Sequence, residues 1–337
     1  MKELIIFNVI YKWKYLLAIL RAKFIKVNKK SSINKLVYVA READKNWIFG
    51  AKVRKLSKFS TLNAIPYFHP KLRNLPNADG YYFIYPHYFC RAIRHNPQIL
   101  NKKNIVMFTH AHYTTSYSKT HIAWCLNLAD KVICLNSQVK KDLINIGIKS
   151  NKLEVIHIAS DPNFFYAHDR NSGDVGFCSN FGERKNPELV YQIIKHLPEK
   201  HFHIFGKNWE KFEKFDLLNN FSNFTYHNNK AYTEFPKLYS NIDTFISPSI
   251  LEGGPVPVLE AMLSNCVPVA SKTGFCPDII DHGENGYLFK IDADYKEVIS
   301  LIKKADALKT DIRKTALPYS WENCSKKIDN LFLGLQT

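Results

Sequence analysis

Short apolar runs alternate with amphipathic segments along most of the chain, which is the pattern of strands that alternate with helices. The run at residues 36–40 predicts a strand, and Asp44 after it is expected to cap a helix with Phe49, Val53 and Leu56 on one face. Further strands are predicted at residues 81–85, 105–108, 131–135, 153–158, 175–178 and 203–207. This alternation indicates parallel sheets covered by helices, with ligand sites at the carboxyl ends of the strands.

The most informative stretch is residues 243–286, which reads as strand, loop, helix and strand. Its first strand stops at Pro248, and Gly253, Gly254 and Pro255 form a loop in which backbone amides can approach a ligand. A helix is expected to begin there, because proline is tolerated in a first helical turn. It should end at Asn265, a residue type that accepts a left-handed conformation after a helix.

Two glutamates fall within this stretch, Glu252 in the loop and Glu260 in the helix. The neighbours of Glu260 are apolar, so its carboxylate needs a partner, and the two hydroxyls of a ribose would serve. Without further context, a solvated position on the helix is the simpler interpretation of Glu260.

The segment has a further pattern beyond its two glutamates eight positions apart, made of Pro248, Ser249, residues 267–270, Gly274, residues 277–280 and Gly286. With these residues it resembles the retaining, nucleotide-sugar-dependent glycosyltransferases of family 4, which have the GT-B fold. The departures from the family pattern are Pro255 in place of glycine, Phe275 in place of a second glycine, and Asp278 in place of glutamate.

The resemblance implies an α/β protein with two Rossmann-like domains facing across a cleft. It assigns Lys185 to the donor diphosphate, Glu260 to the ribose, and Glu252 with His110 to the sugar. Arg184 either assists Lys185 or is an ordinary solvated cation. The family's companion arginine is replaced in the region of Asn180. The expected catalytic residues are therefore Glu252, Lys185 and His110, and the expected donor-binding residues are Glu260, Gly253, Gly254, Pro255, Arg184 and Asn180.

Further expectations follow from the same resemblance. The nucleobase should lie at residues 228–233, and no side chain is assigned as a nucleophile. No cofactor is expected, since the nucleotide-sugar is a substrate, and no metal is expected. His110 and His112 invite a zinc interpretation, but two ligands without a third make a poor zinc site.

The sequence pattern and the family resemblance together divide the chain into four parts. These are a basic, apolar segment at residues 1–30, an acceptor domain at 31–165, a nucleotide-sugar domain at 166–320 and a returning helix at 321–337. A chain of 337 residues with 46% hydrophobic content can bury two domain cores. Its seven cysteines form no C-x-x-C pair, and their odd number argues against a disulfide framework. A cytoplasmic location is the simplest expectation.

The formal net charge of +17 predicts attraction to polyanions. Residues 1–30 carry eight cations and one acid among many apolar residues. Charges interrupt every window long enough to span a bilayer, and the pattern is not that of a signal peptide. Helical projection puts Lys12 and Lys23 on one side, and Lys14 and Arg21 nearly opposite. Two interpretations stay open, namely helices packed on the first domain and a peripheral contact with an anionic membrane surface on the inner face of the cell membrane.

Three function classes compete. The first is a glycosyltransferase that uses a glycan or lipid-linked glycan acceptor in bacterial lipopolysaccharide, capsule or other surface-polysaccharide synthesis. The second is a noncatalytic membrane-surface scaffold on a decayed transferase fold, which should have lost Lys185 or Glu260. The third is a nucleic-acid-binding protein, which should show a recognised module or an aromatic and basic platform, and the sequence has neither. The first class fits best, and no nucleic-acid partner is expected.

Overall fold

The computed structural model describes residues 12–24, 33–109 and 118–335. These residues form two compact units. Unit 1 holds the described residues up to His157 together with those from Trp321 onwards, and unit 2 is Ile158–Ser320. The division after His157 precedes the segment at residues 158–165, which the sequence assigns to the first domain.

Unit 1 is built on a six-stranded sheet in which every neighbouring pair is parallel. The strand order is β2-β1-β3-β4-β5-β6, so the fully buried β1 and β3 lie side by side inside the sheet. The strands are β1 Leu36–Ala40, β2 Ala64–Phe68, β3 Gly80–Phe83, β4 Lys103–Phe108, β5 Lys131–Cys134 and β6 Leu153–Val155.

The helices of unit 1 present apolar faces to this sheet and to one another. Pro86 opens one of them, as expected for a residue whose missing N–H costs nothing in a first turn. Those that precede the second unit are α1 Trp13–Phe24, α2 Ile48–Phe59, α3 Pro86–His95, α4 Lys119–Leu126 and α5 Ser137–Asn145.

The expectation that Asp44 caps the helix after β1 is wrong. Helix α2 begins at Ile48, and Asp44 lies in a short 3₁₀ turn before it. The buried Asp44 carboxylate instead accepts hydrogen bonds from the Tyr88 hydroxyl and from Arg41 Nε, the latter at 3.2 Å. A buried carboxylate has lost its hydrogen bonds to water and needs donors from the protein to replace them. The charged Arg41 is a stronger donor than a helix amide would be.

Unit 2 repeats the architecture with a second six-stranded parallel sheet, in the order β12-β11-β10-β7-β8-β9. Its strands are β7 Val175–Cys178, β8 Phe202–Gly206, β9 Phe224–Asn228, β10 Thr244–Ser247, β11 Val267–Ser271 and β12 Tyr287–Phe289. Its helices are α6 Pro187–His196, α7 Phe215–Asn219, α8 Phe235–Tyr239, α9 Val256–Leu263, α10 Cys276–Ile279, α11 Tyr295–Asp306 and α12 Ile312–Ala316.

The last helix, α13 Trp321–Gly334, belongs to unit 1, where it packs against α2. Ser325 Oγ donates to the Leu56 carbonyl at 2.8 Å. The buried Asp329 accepts from Ser60 Oγ at 2.7 Å and from the Thr61 amide and hydroxyl at 2.6 and 2.9 Å. These bonds fix α13 to the end of α2 and complete the core of unit 1.

Two sheets of parallel strands, each covered by helices, confirm the predicted α/β fold class. All seven cysteines are free and buried, so none of them contributes a disulfide. Within the described ranges, no helix is both long enough and apolar enough to cross a bilayer.

Candidate functional site

The predicted site residues of unit 2 lie on loops that leave the carboxyl ends of its strands. Because the sheet is parallel, the loops after β7, β9, β10 and β11 emerge at the same edge. Open α/β sheets bind their ligands at this edge. The fold of unit 2 therefore gathers segments that are far apart in the sequence.

The loop after β10 has the shape that its glycines predicted. Gly253 and Pro255 are buried, and α9 begins at Val256 with Pro255 in the capping position. A Cβ at Gly254 would lie 3.0 and 3.1 Å from ring atoms of Phe275, so this position has almost no room for a side chain. Phe275, which departs from the family pattern, thus packs against the loop.

Gly274 holds a second close approach beside the same loop. Its φ of +59° is a conformation that favours glycine, and a Cβ there would lie 2.9 Å from both Glu252 Cβ and Pro255 Cδ. The Glu252 amide donates to Thr273 Oγ1 at 3.1 Å. The loop after β11 therefore fixes the backbone from which the Glu252 side chain projects.

The N-terminus of α9 offers fewer backbone donors than the sequence suggested. Pro255 and Pro257 have no N–H, and the Val258 amide already donates to the Pro255 carbonyl at 2.9 Å. Charge at this end of the site must therefore come mainly from side chains.

Lys185 and Arg184 supply that charge. They lie in a 3₁₀ turn, Glu183–Lys185, which follows β7 and ends at Asn186 in the left-handed conformation. The Ile250 amide donates to the Arg184 carbonyl at 2.9 Å, which joins the turn to the loop after β10. The two predicted segments thus meet through their backbones.

Their side chains converge on one atom, Glu252 Oε1. Arg184 contacts it at 2.8 Å and also donates to the Leu251 carbonyl at 3.1 Å, and Lys185 Nζ donates to it as well. The side chains of Lys185 and Glu252 are only 15% and 10% exposed, whereas that of Arg184 is 53% exposed. Two cations share one carboxylate, so the cluster carries a net positive charge and can attract a second anion.

Glu260 lies on α9 and is 3% exposed. Its Oε1 accepts from the Tyr232 hydroxyl at 2.6 Å, and its Oε2 accepts from the Tyr239 hydroxyl at 3.0 Å. Burial raises the pKa of Glu260 from 4.5 to about 7, although the two hydroxyls act to lower that pKa. The solvated-helix interpretation of Glu260 is therefore wrong, since its carboxyl is a buried acceptor with hydroxyl partners.

Aromatic rings surround this carboxyl group. Tyr232 stacks on Phe164, with centroids 5.3 Å apart and planes inclined by 20°. Phe165 is fully buried and meets Tyr239 edge to face at 5.6 Å. Tyr232 itself is half exposed and lies in the predicted nucleobase segment, residues 228–233. It therefore presents an accessible ring beside a buried acid.

Asn180 lies on the loop after β7, and its exposed side chain has a structural partner. Asn180 Oδ1 accepts from the Lys207 amide at 3.1 Å, and the Phe181 amide donates to the Lys207 carbonyl at 2.8 Å. Among the described residues, no hydrogen bond or ion pair joins Asn180 to Glu252. Its part in donor binding stays a prediction.

His110 and His112 lie outside the described residues, so their predicted positions stay untested. In the parts of the chain that the structure describes, no group of three or more His, Cys, Asp or Glu side chains could hold a metal ion. The expectation of an enzyme without a metal stays a prediction.

Sequence reasoning missed Tyr232 and Tyr239 as partners of Glu260. Tyr239 precedes Glu260 by 21 positions, on a different helix, and nothing in the local pattern marks it. Tyr232 falls inside the predicted nucleobase segment, so a search of that segment for hydroxyl donors would have identified it.

Comparison with known proteins is consistent with this geometry. Residues 163–317 match the family model of Glycosyl transferases group 1, and residues 38–164 match that of Glycosyltransferase Family 4. An uncharacterized glycosyltransferase of Methanocaldococcus jannaschii is 26% identical over 207 residues, which are 58% of this chain and 57% of that relative. The match thus spans little more than half of the relative's length.

Solved structures share the fold over nearly the whole chain. The sucrose-phosphate synthase of Thermosynechococcus elongatus superimposes with a TM-score of 0.73 at 13% identity, covering 90% of this chain and 99% of that one. HepE of Anabaena, in complex with UDP, gives a TM-score of 0.70 at 15% identity, covering 89% and 99%. These likenesses confirm the GT-B fold.

Proposed function

We propose that this chain, which matches the Glycosyltransferase Family 4 model over residues 38–164 and the Glycosyl transferases group 1 model over residues 163–317, transfers a sugar from a nucleoside diphosphate donor to a hydroxyl of a glycan acceptor, with retention at the anomeric carbon. The observation that carries the proposal is the convergence of Lys185 and Arg184 on Glu252 at the carboxyl edge of the unit 2 sheet. Here three residues that the family resemblance assigns to the donor are in direct contact with one another.

In the proposed reaction, the bond between the anomeric carbon and the diphosphate breaks, and its electron pair goes to the phosphate oxygen. The acceptor oxygen bonds the anomeric carbon on the same face, and the acceptor proton goes to the leaving diphosphate. Negative charge on the diphosphate grows as the bond breaks. Lys185, with Arg184, stabilises that charge, and each such interaction is worth about 1–3 kcal/mol where water is excluded.

Glu252 has a double role in this account. Without a donor, its carboxylate holds both cations in place by direct contacts. When a diphosphate arrives, the cations exchange part of this contact for phosphate oxygens. The ordering of the cations precedes the reaction, so little of the binding free energy is lost to reorganisation. The remaining carboxylate oxygen is then able to accept a hydrogen bond from the sugar.

Glu260 is proposed to accept hydrogen bonds from the ribose hydroxyls, with Tyr232 beside the nucleobase. Each carboxylate oxygen has two lone pairs, so Glu260 can keep its tyrosine contacts and accept further donors. The exposed ring of Tyr232 offers a surface on which a base can stack. The UDP complex of the structurally similar HepE is a further reason to begin with uridine diphosphate.

The acceptor is proposed to be a glycan or a lipid-linked glycan of a bacterial surface polysaccharide, made at the cytoplasmic face of the membrane. The net charge of +17 favours a phosphorylated or membrane-bound acceptor. The noncatalytic scaffold is disfavoured, because Lys185, Glu252 and Glu260 are all present with ordered partners.

A thermal-shift screen with uridine, guanosine, adenosine and thymidine diphosphates tests the proposal and identifies the base. At least one nucleotide should raise the unfolding temperature, and the same nucleotide carrying a sugar should be hydrolysed slowly or transferred. No stabilisation by any of the four would contradict the donor assignment.

A further inference from the structure

Helix α1 exposes an apolar stripe, which we define as Trp13, Leu17, Leu20 and Phe24. Their exposed fractions are 65%, 51%, 50% and 86%. Spacings of four, three and four residues bring all of them within about 60° on the helix surface, since each residue turns about 100°. Water therefore meets a continuous row of large apolar side chains.

The opposite face of α1 is fixed to unit 1. Tyr15, Ala18 and Ala22 are buried there. Tyr15 Oη donates to the Cys90 carbonyl at 3.0 Å and lies 2.6 Å from His121 Nε2, while Asn101 Nδ2 donates to the Ala22 carbonyl at 2.6 Å. The opposite face of α1 is packed on unit 1, and this packing orients the apolar stripe toward the solvent.

Cations border the stripe on both sides. Lys14 and Arg21 lie about 90° from it in one direction, and Lys12 and Lys23 lie about 90° from it in the other. All four are exposed, and residues 12–24 contain no acid. In the sequence these cations argued against a simple amphipathic helix, because they fall on two opposite sides. The structure shows that the two sides are the flanks of one exposed apolar row.

We propose that this face of α1 docks on the surface of an anionic lipid bilayer, with the helix lying in the plane of the membrane. An apolar row between two rows of cations matches acyl chains between anionic headgroups. A helix of 12 residues is only about 18 Å long and cannot span the hydrocarbon core. Packing on α3 and α4 leaves only the stripe and its flanks for the membrane.

A second copy of the chain is a poorer occupant. In a symmetric dimer that buries the stripe, each cationic flank would face the flank of the other copy, and like charges would repel. An anionic bilayer turns the same charges into attraction. The proposal concerns unit 1 and does not depend on the proposed sugar transfer.

Cosedimentation with vesicles tests the proposal on the full chain. The wild-type protein should bind vesicles of phosphatidylglycerol and phosphatidylcholine, and pure phosphatidylcholine vesicles should bind much less of it. The double variant Leu17→Gln/Leu20→Gln should lower the partition coefficient at least tenfold. The matched control Ile144→Gln/Leu333→Gln changes two exposed apolar residues elsewhere in unit 1 and should change it less than twofold.

A second set of variants tests the contribution of charge to vesicle binding. Lys14→Gln/Arg21→Gln removes two cations beside the stripe, and Lys326→Gln/Lys327→Gln, an exposed pair on α13, is its control. The first pair should weaken binding about five- to thirtyfold at low salt, and the difference should shrink at high salt. The control pair should have little effect. Equal losses in both pairs would mean that net charge, and not this face, attracts the membrane, and would overturn the assignment.

Trp13 gives a readout of position. Its fluorescence should shift to shorter wavelength on vesicle addition, and Trp13→Phe should abolish the shift while the protein still sediments with the vesicles. The proposal is overturned if Leu17→Gln/Leu20→Gln, folded by thermal unfolding, sediments like wild type. It is also overturned if sedimentation velocity shows a wild-type dimer that this variant converts to a monomer.

Discussion

Glu260 should make the stability of the protein depend on pH in a direction opposite to that of most carboxylates. Burial raises the pKa of Glu260 from 4.5 to about 7 in the folded protein. Between these values the folded state binds more protons than the unfolded state, so the free energy of unfolding falls as pH rises. The contribution of this group is fully present below pH 4.5 and is lost as pH rises through 7.

The size of this stability change follows from the difference between the folded and unfolded pKa values of Glu260. A difference of about 2.5 pH units corresponds to about 3 kcal/mol, and most of it, about 2–3 kcal/mol, falls between pH 5 and pH 8. Glu260→Gln keeps the shape of the side chain and cannot ionise. All other titrating groups are common to both proteins, so the difference between the two unfolding free energies isolates Glu260.

The assay is urea unfolding of both proteins at several pH values from 5 to 8. Relative to wild type, the Gln variant should gain about 2–3 kcal/mol of stability across this range. Tyr232→Phe removes a hydroxyl that lowers the pKa of Glu260, so in that variant the pH at which stability is lost should move upward. Wild-type and Gln curves that run parallel from pH 5 to 8 would refute the reasoning, because they would mean that Glu260 keeps an ordinary pKa.

Two further predictions concern the site and its supporting loops. Lys185→Ala should lower the turnover number about 10²–10³-fold with a smaller change in KM, and wild-type activity should survive EDTA, as steady-state kinetics with the identified donor will show; normal turnover in the variant would remove Lys185 from leaving-group stabilisation. Gly206→Ala would place a Cβ 1.8 Å from the Ser179 carbonyl oxygen and should cost about 2–4 kcal/mol of stability by urea unfolding. Gly182→Ala is the matched control, because a Cβ there meets no atom within 4 Å and the φ of 169° is extended backbone, so a loss comparable to that of Gly206→Ala would contradict the steric argument.

The sequence predicted the interior strands of both sheets and one edge strand, β6, and it missed the other edge strands. The strands that it missed, β2, β9 and β12, all lie at the edge of a sheet. An edge strand is less buried and tolerates proline and polar residues, as Pro66 in β2 and the histidine and asparagine at the end of β9 illustrate. Hydrophobic pattern is the main signal of a strand, so these segments resembled loops.

The sequence identified which residues belong to the site, but it could not show which of them contact one another. Resemblance selected Lys185, Arg184 and Glu252, but the two cations stand 67 and 68 positions before the glutamate, and only the fold of unit 2 brings them to one oxygen atom. Likewise, the apolar neighbours of Glu260 predicted that its carboxylate has hydrogen-bond partners, but the sequence did not identify Tyr239 as one of them. Helical projection of residues 1–30 gave no clean face, because the buried side of α1 becomes evident only once Tyr15 is seen packed on unit 1.

The central claim is that unit 2 holds a nucleoside diphosphate at the cluster of Lys185, Glu252 and Glu260. Isothermal titration calorimetry of the best-binding nucleoside diphosphate with wild type, Lys185→Ala, Glu260→Gln and the exposed control Lys195→Ala tests it most directly. The account predicts measurable wild-type binding, a loss of about 1–2 kcal/mol in each of the two site variants, and unchanged affinity in the control. Failure of all four nucleotides to bind, or equal affinity in all four proteins, would contradict it.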